Sequence, residues 1–364
     1  MANLPLSGDF RSIVTGNIPL IDVRAPVEFD KGAFPHAVNL PLMDDEERRR
    51  VGIVYKQEGN AKAVALGHRL VGGAVKEARI RAWLNFIDAH PDAMLYCFRG
   101  GQRSQIAQEW IKDSGREIVR LRGGYKAFRN YLMEETVRSS QQISPVVLGG
   151  RTGSGKTILL RRLSHAVDLE GLANHRGSSF GRDITPQPTL INFENALAYA
   201  LIQKLDAGFS HLVFEDEGKC VGRLYLPQSL YQRLATAPMV LLETPFEERV
   251  EITFGEYVLH AQQRYSEVFG VEGMTKWTED IREAMQRIQK RLGGLRYQQS
   301  VTLFDDALNE QVRSGSKEGY KAWAAYLLRE YYDPMYDYQI AKNSERVRFR
   351  GSFEAVEAYL SRLR

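Results

Sequence analysis

The chain has 364 residues, of which 43% are hydrophobic and 26% charged, with a formal net charge of +4 at pH 7. Such a length accommodates two domains of ordinary size, the composition is that of a soluble globular protein, and no apolar run of about 18 residues offers a membrane span. Two cysteines, Cys97 and Cys220, exclude a disulfide framework, and a start without a basic and then apolar leader makes the reducing cytoplasm the expected compartment.

In chain order, apolar strands are expected at 18–23, at 93–96 directly before Cys97, and at 118–121 before Gly123-Gly124, with helical spacing over 106–111. Alternating strands and helices argue for a parallel α/β sheet, whose ligands sit beyond the carboxyl ends of its strands. The charged stretch 41–91 reads as helices and loops able to cover the Cys97 loop. Polar Ser139-Ser140-Gln141-Gln142 reads as a linker, dividing the chain into domains 1–138 and 139–364. A strand at 145–148 then runs into a Gly-rich loop and an amphipathic helix over 158–163. Further strands are expected at 212–214 and 239–242, and from about 279 onward the chain reads as helical, with Ile281, Met285, Ile288 and Leu292 on one face. Arg48-Arg49-Arg50, the series Arg116, Arg120, Arg122, Lys126 and Arg129, and Arg346 to Arg350 are basic clusters able to meet a polyanion, or solvated faces.

Two loops carry the chemistry. In the first, Cys97 opens a short loop of Phe98, Arg99, Gly100, Gly101 and Gln102, and Arg103-Ser104 closes it. Gly100 and Gly101 let backbone N–H groups turn inward as an oxyanion nest, and Arg103 supplies a planar fork. Both favour the thiolate, the nucleophilic form. Cys-x5-Arg-Ser by itself suits either phosphate-ester hydrolysis through a phosphocysteine or chalcogen transfer. The second loop, Gly150 to Thr157, is a complete G-x-x-x-x-G-K-[ST] phosphate loop between a strand and a helix. The N–H groups of Gly153, Ser154, Gly155 and Lys156 would cradle a di- or triphosphate and Lys156 would neutralise it. Thr157 could hold Mg²⁺, with a carboxylate of Glu215-Asp216-Glu217, Asp216 being the candidate, at the end of a strand. His175 to Gly181 is a polar segment that could offer Arg176 and Ser178 as a lid. Cys220 has no basic Gly-rich loop around it and reads as a small apolar filler.

Asp22-Val23-Arg24, Glu28-Phe29, the segment from Gly32 to Pro41, and Leu121-Arg122-Gly123-Gly124 together resemble a rhodanese domain, and on that resemblance chalcogen transfer is favoured. The Cys97 loop is one residue longer than in most rhodaneses, and Ala33 stands where they usually carry histidine. A rhodanese-like parallel-sheet domain followed by a P-loop NTPase-like α/β domain with a helical C-terminal part resembles the tRNA 2-selenouridine synthase family. Val51-Gly52, Tyr55-Lys56, His175 to Ser178, Phe180-Gly181, Arg291 to Gly294 and Tyr331 to Pro334 extend the resemblance along the chain.

That resemblance implies replacement of sulfur by selenium in wobble 2-thiouridine, with selenophosphate as donor and an S-geranyl intermediate made from geranyl diphosphate. It implies tRNA as the partner through its anticodon loop, small phosphorylated co-substrates, room for a selenophosphate-producing enzyme as a second partner, and no tightly bound cofactor. Lys156 and its loop would then take geranyl diphosphate, and Cys97 with Arg103 would handle selenium. A tRNA sulfurtransferase coupled to an NTPase is the alternative.

Overall fold

A computed structural model describes residues 4–363. The chain separates into two compact units, one holding the residues up to Ser139 together with Thr189–Ala207, the other Ser140–Pro188 and Gly208 onward.

The first unit is built on a five-stranded parallel sheet of β1 (Leu6–Ser7), β2 (Leu20–Asp22), β3 (Ala37–Asn39), β4 (Met94–Tyr96) and β5 (Val119–Leu121), in the order β1-β5-β4-β2-β3. Successive residues of a strand point to opposite faces, so Ile21, Leu95 and Cys97 enter one core and Leu20 and Tyr96 the other. Trp83, Ile87, Ala107, Trp110 and Ile111 cover the first face. They come from the helices Gly73–Ala89 and Gln102–Asp113. The stretch 41–91 is three helices, the first of them, Asp45–Glu58, closed by a capping box. There the Glu47 N–H donates to Asp44 (2.8 Å) and the Asp44 N–H to Glu47 (2.7 Å).

The second face is covered in part by the helix Leu190–Asp206, which contributes Ala198, Tyr199 and Ile202 beside Phe128 and Leu132. A single cut at 138/139 leaves this helix with the C-terminal domain; its contacts place it in the first unit. Its N-terminus is capped by Thr189 Oγ1, which accepts from the Asn192 N–H (3.1 Å). Near that end Asn195 donates to the Ala33 carbonyl (2.7 Å).

The expected linker at 139–142 does not form. The helix Gly124–Gln142 runs through it, and Ser139 and Ser140 are buried. Small polar residues suit a loop and a closely packed helix face alike, and here packing decides.

The second unit has its own five-stranded parallel sheet. Its strands are β6 (Ser144–Gly149), β7 (Ala166–Val167), β8 (His211–Glu215), β11 (Met239–Leu242) and β12 (Val347–Gly351); β9 (Cys220–Val221) and β10 (Leu224–Tyr225) form a separate hairpin. The order is β12-β11-β6-β8-β7, so the strand ending in Glu215 lies directly beside the strand entering the phosphate loop. The helices Lys156–Arg162 and Phe353–Ser361 pack on one face through Leu159, Leu160, Val356 and Leu360. A separate helical core, centred on Trp277, Phe304, Tyr320 and Trp323, gathers the helices between Phe246 and Lys342. The C-terminal part is helical apart from β12, which pairs parallel with β11. Cys220 is half-buried in the hairpin, where it pairs with Tyr225.

Candidate active site

Cys97 stands at the carboxyl end of β4, 3% exposed. Its thiol donates to Ser104 Oγ (3.1 Å), whose own hydroxyl donates to the Gly101 carbonyl (3.0 Å). Gly101 is the N-cap of Gln102–Asp113, so Gln102, Arg103 and Ser104 form that helix's first turn, where N–H groups favour an anion. Arg99 is exposed at the tip of the loop. The loop is shaped from behind by Gly124. The N–H groups of Tyr125 and Lys126 donate to the Cys97 and Phe98 carbonyls (2.9 Å each), and Gly100 (φ +65°) and Gly124 (φ +58°) pass so closely that a Cβ on Gly124 would overlap the Cys97 carbonyl oxygen. Arg120 holds the Gly100 carbonyl from the side.

Arg103 does not stand free in this loop. Its fork grips Glu28 through both carboxylate oxygens (2.6 and 3.2 Å), and Arg48 takes the same carboxylate (2.8 Å). Burial pushes the Glu28 carboxyl up, but Arg103 and Arg48 outweigh it and hold it below its usual range. Several other arginines of the basic clusters are also engaged within the fold. Arg49 meets Glu46, Arg116 meets Asp88, Arg129 meets Glu194, and Arg346 donates to the Leu234 and Ala237 carbonyls.

In the second unit a cavity of ≈ 450 Å³ is lined by Gly153, Ser154, Gly155, Lys156 and Thr157 of the phosphate loop, by Arg176 and Ser178, and by Asp216. The sequence separates these groups by more than sixty residues, from Gly153 to Asp216; the sheet order β6-β8 and the segment after residue 173 bring them together. Lys156 Nζ is folded back on the loop, donating to the Gly150 (2.8 Å) and Arg151 (3.2 Å) carbonyls. The loop rests on Arg249, which is 3% exposed, donates to the Thr152 carbonyl (2.9 Å) and pairs with Asp333. Ser154 Oγ is buried without a partner.

Four carboxyl groups surround Lys156. Burial lowers the Lys156 ammonium, while Glu170, Asp216, Glu217 and Glu215 pull it the other way. Glu215, buried and accepting from the Leu169 N–H (2.8 Å), is raised by burial and by Asp168 and Glu170. Asp216 is raised by burial, against Arg346 and Lys156. Glu217 is pushed up to about 8 by burial and by Glu170 beside it. Among the described residues, no group of three or more His, Cys, Asp or Glu side chains could hold a metal by itself.

The segment bearing Arg176 and Ser178 is tied to the cavity wall. Arg176 pairs with Glu256 (2.5 Å), Ser178 Oγ shares a hydrogen bond with the Tyr257 hydroxyl (3.1 Å), and the Gly177 N–H donates to Glu170 (2.5 Å). Glu256 and Tyr257 lie in a π-helical turn, Gly255–His260; a second π-helical turn, Leu328–Tyr332, leads into Asp333. Glu170, Tyr257 and Tyr336 are among the lining residues that sequence reasoning missed. No motif marks them, although Tyr331 to Pro334 lies next to Tyr336.

Both halves have counterparts among known families. The rhodanese-like domain family matches residues 10–131, and the family described as the tRNA 2-selenouridine synthase AAA domain matches residues 143–364. A curated tRNA 2-selenouridine synthase of a Sulfurovum species is 70% identical over 364 residues, covering 100% of both chains. This chain belongs to the tRNA 2-selenouridine synthase family. Membership makes it an enzyme, with a rhodanese-like parallel-sheet unit, a P-loop-bearing α/β unit and a helical C-terminal part. Family members from Hydrogenovibrio crunogenus (53% identical, 98% of this chain and 99% of the relative) and Pseudomonas fluorescens (49%, 97% and 97%) match at full length as well.

Proposed function

We propose that the protein modifies the wobble uridine of tRNA, converting 2-thiouridine to 2-selenouridine. Geranyl diphosphate would first alkylate the thiouridine sulfur at the 150–157 loop. Selenium from selenophosphate would then replace the S-geranyl group at C2, geranylthiolate leaving and water supplying the oxygen that completes phosphate. Alkylation turns a poor leaving group into a good one, and the diphosphate released in that first step needs the cations and N–H donors of a phosphate loop. The observation that carries this reading is one chain with two anion sites of different kinds: a thiol at a helix N-terminus, and a cavity walled by Lys156 and Arg176.

Cys97 and its loop, with Arg99, Gly100, Gly101, Gln102, Arg103 and Ser104, are assigned to selenophosphate. Arg103 must exchange Glu28 for the incoming anion, or act by holding the loop in shape. Mg²⁺, if used, would neutralise diphosphate charge, with Thr157 and Asp216 as its protein contacts and the remaining contacts left to phosphate oxygens and water. The tRNA anticodon loop and a selenophosphate-producing enzyme are the proposed partners. Among the described residues no helix is long and apolar enough to cross a membrane, and the cytoplasm, where charged tRNA substrates reside, is the proposed location.

The test is nucleoside mass spectrometry on 2-thiouridine-bearing tRNA incubated with the protein and each donor in turn. An S-geranyl product with geranyl diphosphate alone, and 2-selenouridine when selenophosphate is added, is expected. Cys97→Ser should abolish selenation and spare geranylation, whereas Lys156→Ala should cripple geranylation. Unchanged 2-thiouridine throughout, with ATP turnover stimulated by tRNA, would favour a tRNA sulfurtransferase coupled to an NTPase, the second reading that a phosphate loop allows.

A further inference from the structure

The cavity at the phosphate loop mixes polar and apolar lining. It is lined by the loop, Lys156 and the carboxyl groups, and also by the apolar side chains of Phe180, Ile184 and Ala261, which rest on the helical core, with the Asp183–Arg264 pair among them. Tyr257 and Tyr336 line it as well, and each already carries a cation on its ring. Lys156 Nζ lies 5.6 Å from the Tyr336 centroid and the Arg176 guanidinium 5.4 Å from that of Tyr257. An aromatic face attracts positive charge within about 6 Å of its centroid, more strongly where water is excluded. These two rings therefore mark a zone of negative quadrupolar potential beside the phosphate cradle.

Resting on the function proposed above, we infer that Tyr257 and Tyr336 are the aromatic residues that stabilise the allylic carbon of geranyl diphosphate as its diphosphate departs, with the prenyl chain lying along Phe180, Ile184 and Ala261. Binding turns Lys156 from the Gly150 and Arg151 carbonyls, and Arg176 from Glu256, to the phosphates, which uncovers the Tyr336 and Tyr257 faces for C1. In the step itself the C1–O bond breaks with its electron pair staying on diphosphate. The thiouridine sulfur lone pair forms the C1–S bond, and the N3 proton passes to solvent. Positive charge grows on C1 and C3 only in the transition state, so the rings act on rate more than on binding. The apolar wall sets chain length.

Single-turnover S-geranylation of 2-thiouridine tRNA tests this in the full chain, with inorganic pyrophosphate affinity measured alongside. Tyr257→Phe and Tyr336→Phe keep the ring and should stay within about 3-fold of the natural rate, whereas Tyr257→Leu and Tyr336→Leu should each lose about 10-fold, the factor a desolvated cation–π contact supplies. Pyrophosphate affinity should change less than about 3-fold in all four, which also reports an intact fold. Progressive fluorination of phenylalanine placed at 336 preserves shape and drains the ring's quadrupole, so the rate should fall stepwise. Leucine variants as fast as the natural chain, or a fluorinated series with a flat rate, would overturn the assignment and leave the proposed function standing. No S-geranyl product from the natural chain would instead refute the function itself.

Discussion

Removing Asp333 isolates a buried charge beneath the phosphate loop, and its cost follows from the geometry. Arg249 is 3% exposed and Asp333 20%. The guanidinium meets both carboxylate oxygens (3.1 and 2.5 Å) and the Thr152 carbonyl (2.9 Å). Asp333→Ala leaves Arg249 with that carbonyl as its hydrogen-bond acceptor and the Phe246 ring 5.9 Å away. Breaking one side of a buried pair costs about 3–5 kcal/mol, and the partial exposure of Asp333 lets water in and favours about 3 kcal/mol, or roughly 150-fold in the unfolding equilibrium. Two compact units need not unfold together, so urea unfolding should be followed by fluorotryptophan NMR. Trp277 and Trp323 report the second unit, and Trp83 and Trp110 the first. The transition of the former pair should shift and that of the latter should not. Arg249→Met combined with Asp333→Leu should recover much of the loss, because two apolar side chains leave no charge unpaired. A shift below about 1 kcal/mol for Asp333→Ala, or no recovery in the double variant, would refute the reasoning.

Glu28→Gln removes the carboxylate that Arg103 and Arg48 share and should cost about 1.5–3 kcal/mol at pH 7. Because the folded carboxyl lies below its ordinary 4.5, this stabilisation is present above that value and lost as pH falls through the folded one, so unfolding curves of variant and natural chain should converge in acid. Gly124→Ala should disturb the Cys97 loop, at a cost of at least about 1–2 kcal/mol for the left-handed backbone alone, and thiol-alkylation rates at Cys97 would register it. Glu217, pushed up to about 8, is neutral at pH 6 and charged at pH 9, with Glu170, Asp216 and Lys156 around it. Pyrophosphate affinity in the natural chain should fall relative to Glu217→Gln across that range, by at least about 10-fold, since one added like charge within about 10 Å costs more than about 1.4 kcal/mol at an effective dielectric of about 20. The same raised carboxyl stabilises the fold below 4.5 and loses that contribution as pH rises through about 8.

Local pattern was enough wherever a short apolar run ended at a Gly-rich loop. Strands β2, β4, β5, β6, β8 and β11, the helices following both loops, and the two Gly-rich loops between them were legible because backbone hydrogen bonding and tight turns each demand particular residues within a few positions. Other features depend on partners distant in sequence. β12 reads as a basic cluster, since Arg348 and Arg350 alternate with Val347 and Phe349; it becomes a strand because β11 offers an open edge and Phe349 stacks on Tyr359 at 4.5 Å. Leu190–Asp206 is amphipathic by its own residues, yet which core receives Ala198 and Ile202 is settled by the face left open beside Phe128. Arg103 carries its charge in the sequence; its pairing with Glu28, 75 residues away, comes only with the fold. So too with Tyr257 and Tyr336: a tyrosine becomes part of a site when π-helical turns and helix packing aim its ring at Lys156 or Arg176, and no local spacing encodes that aim.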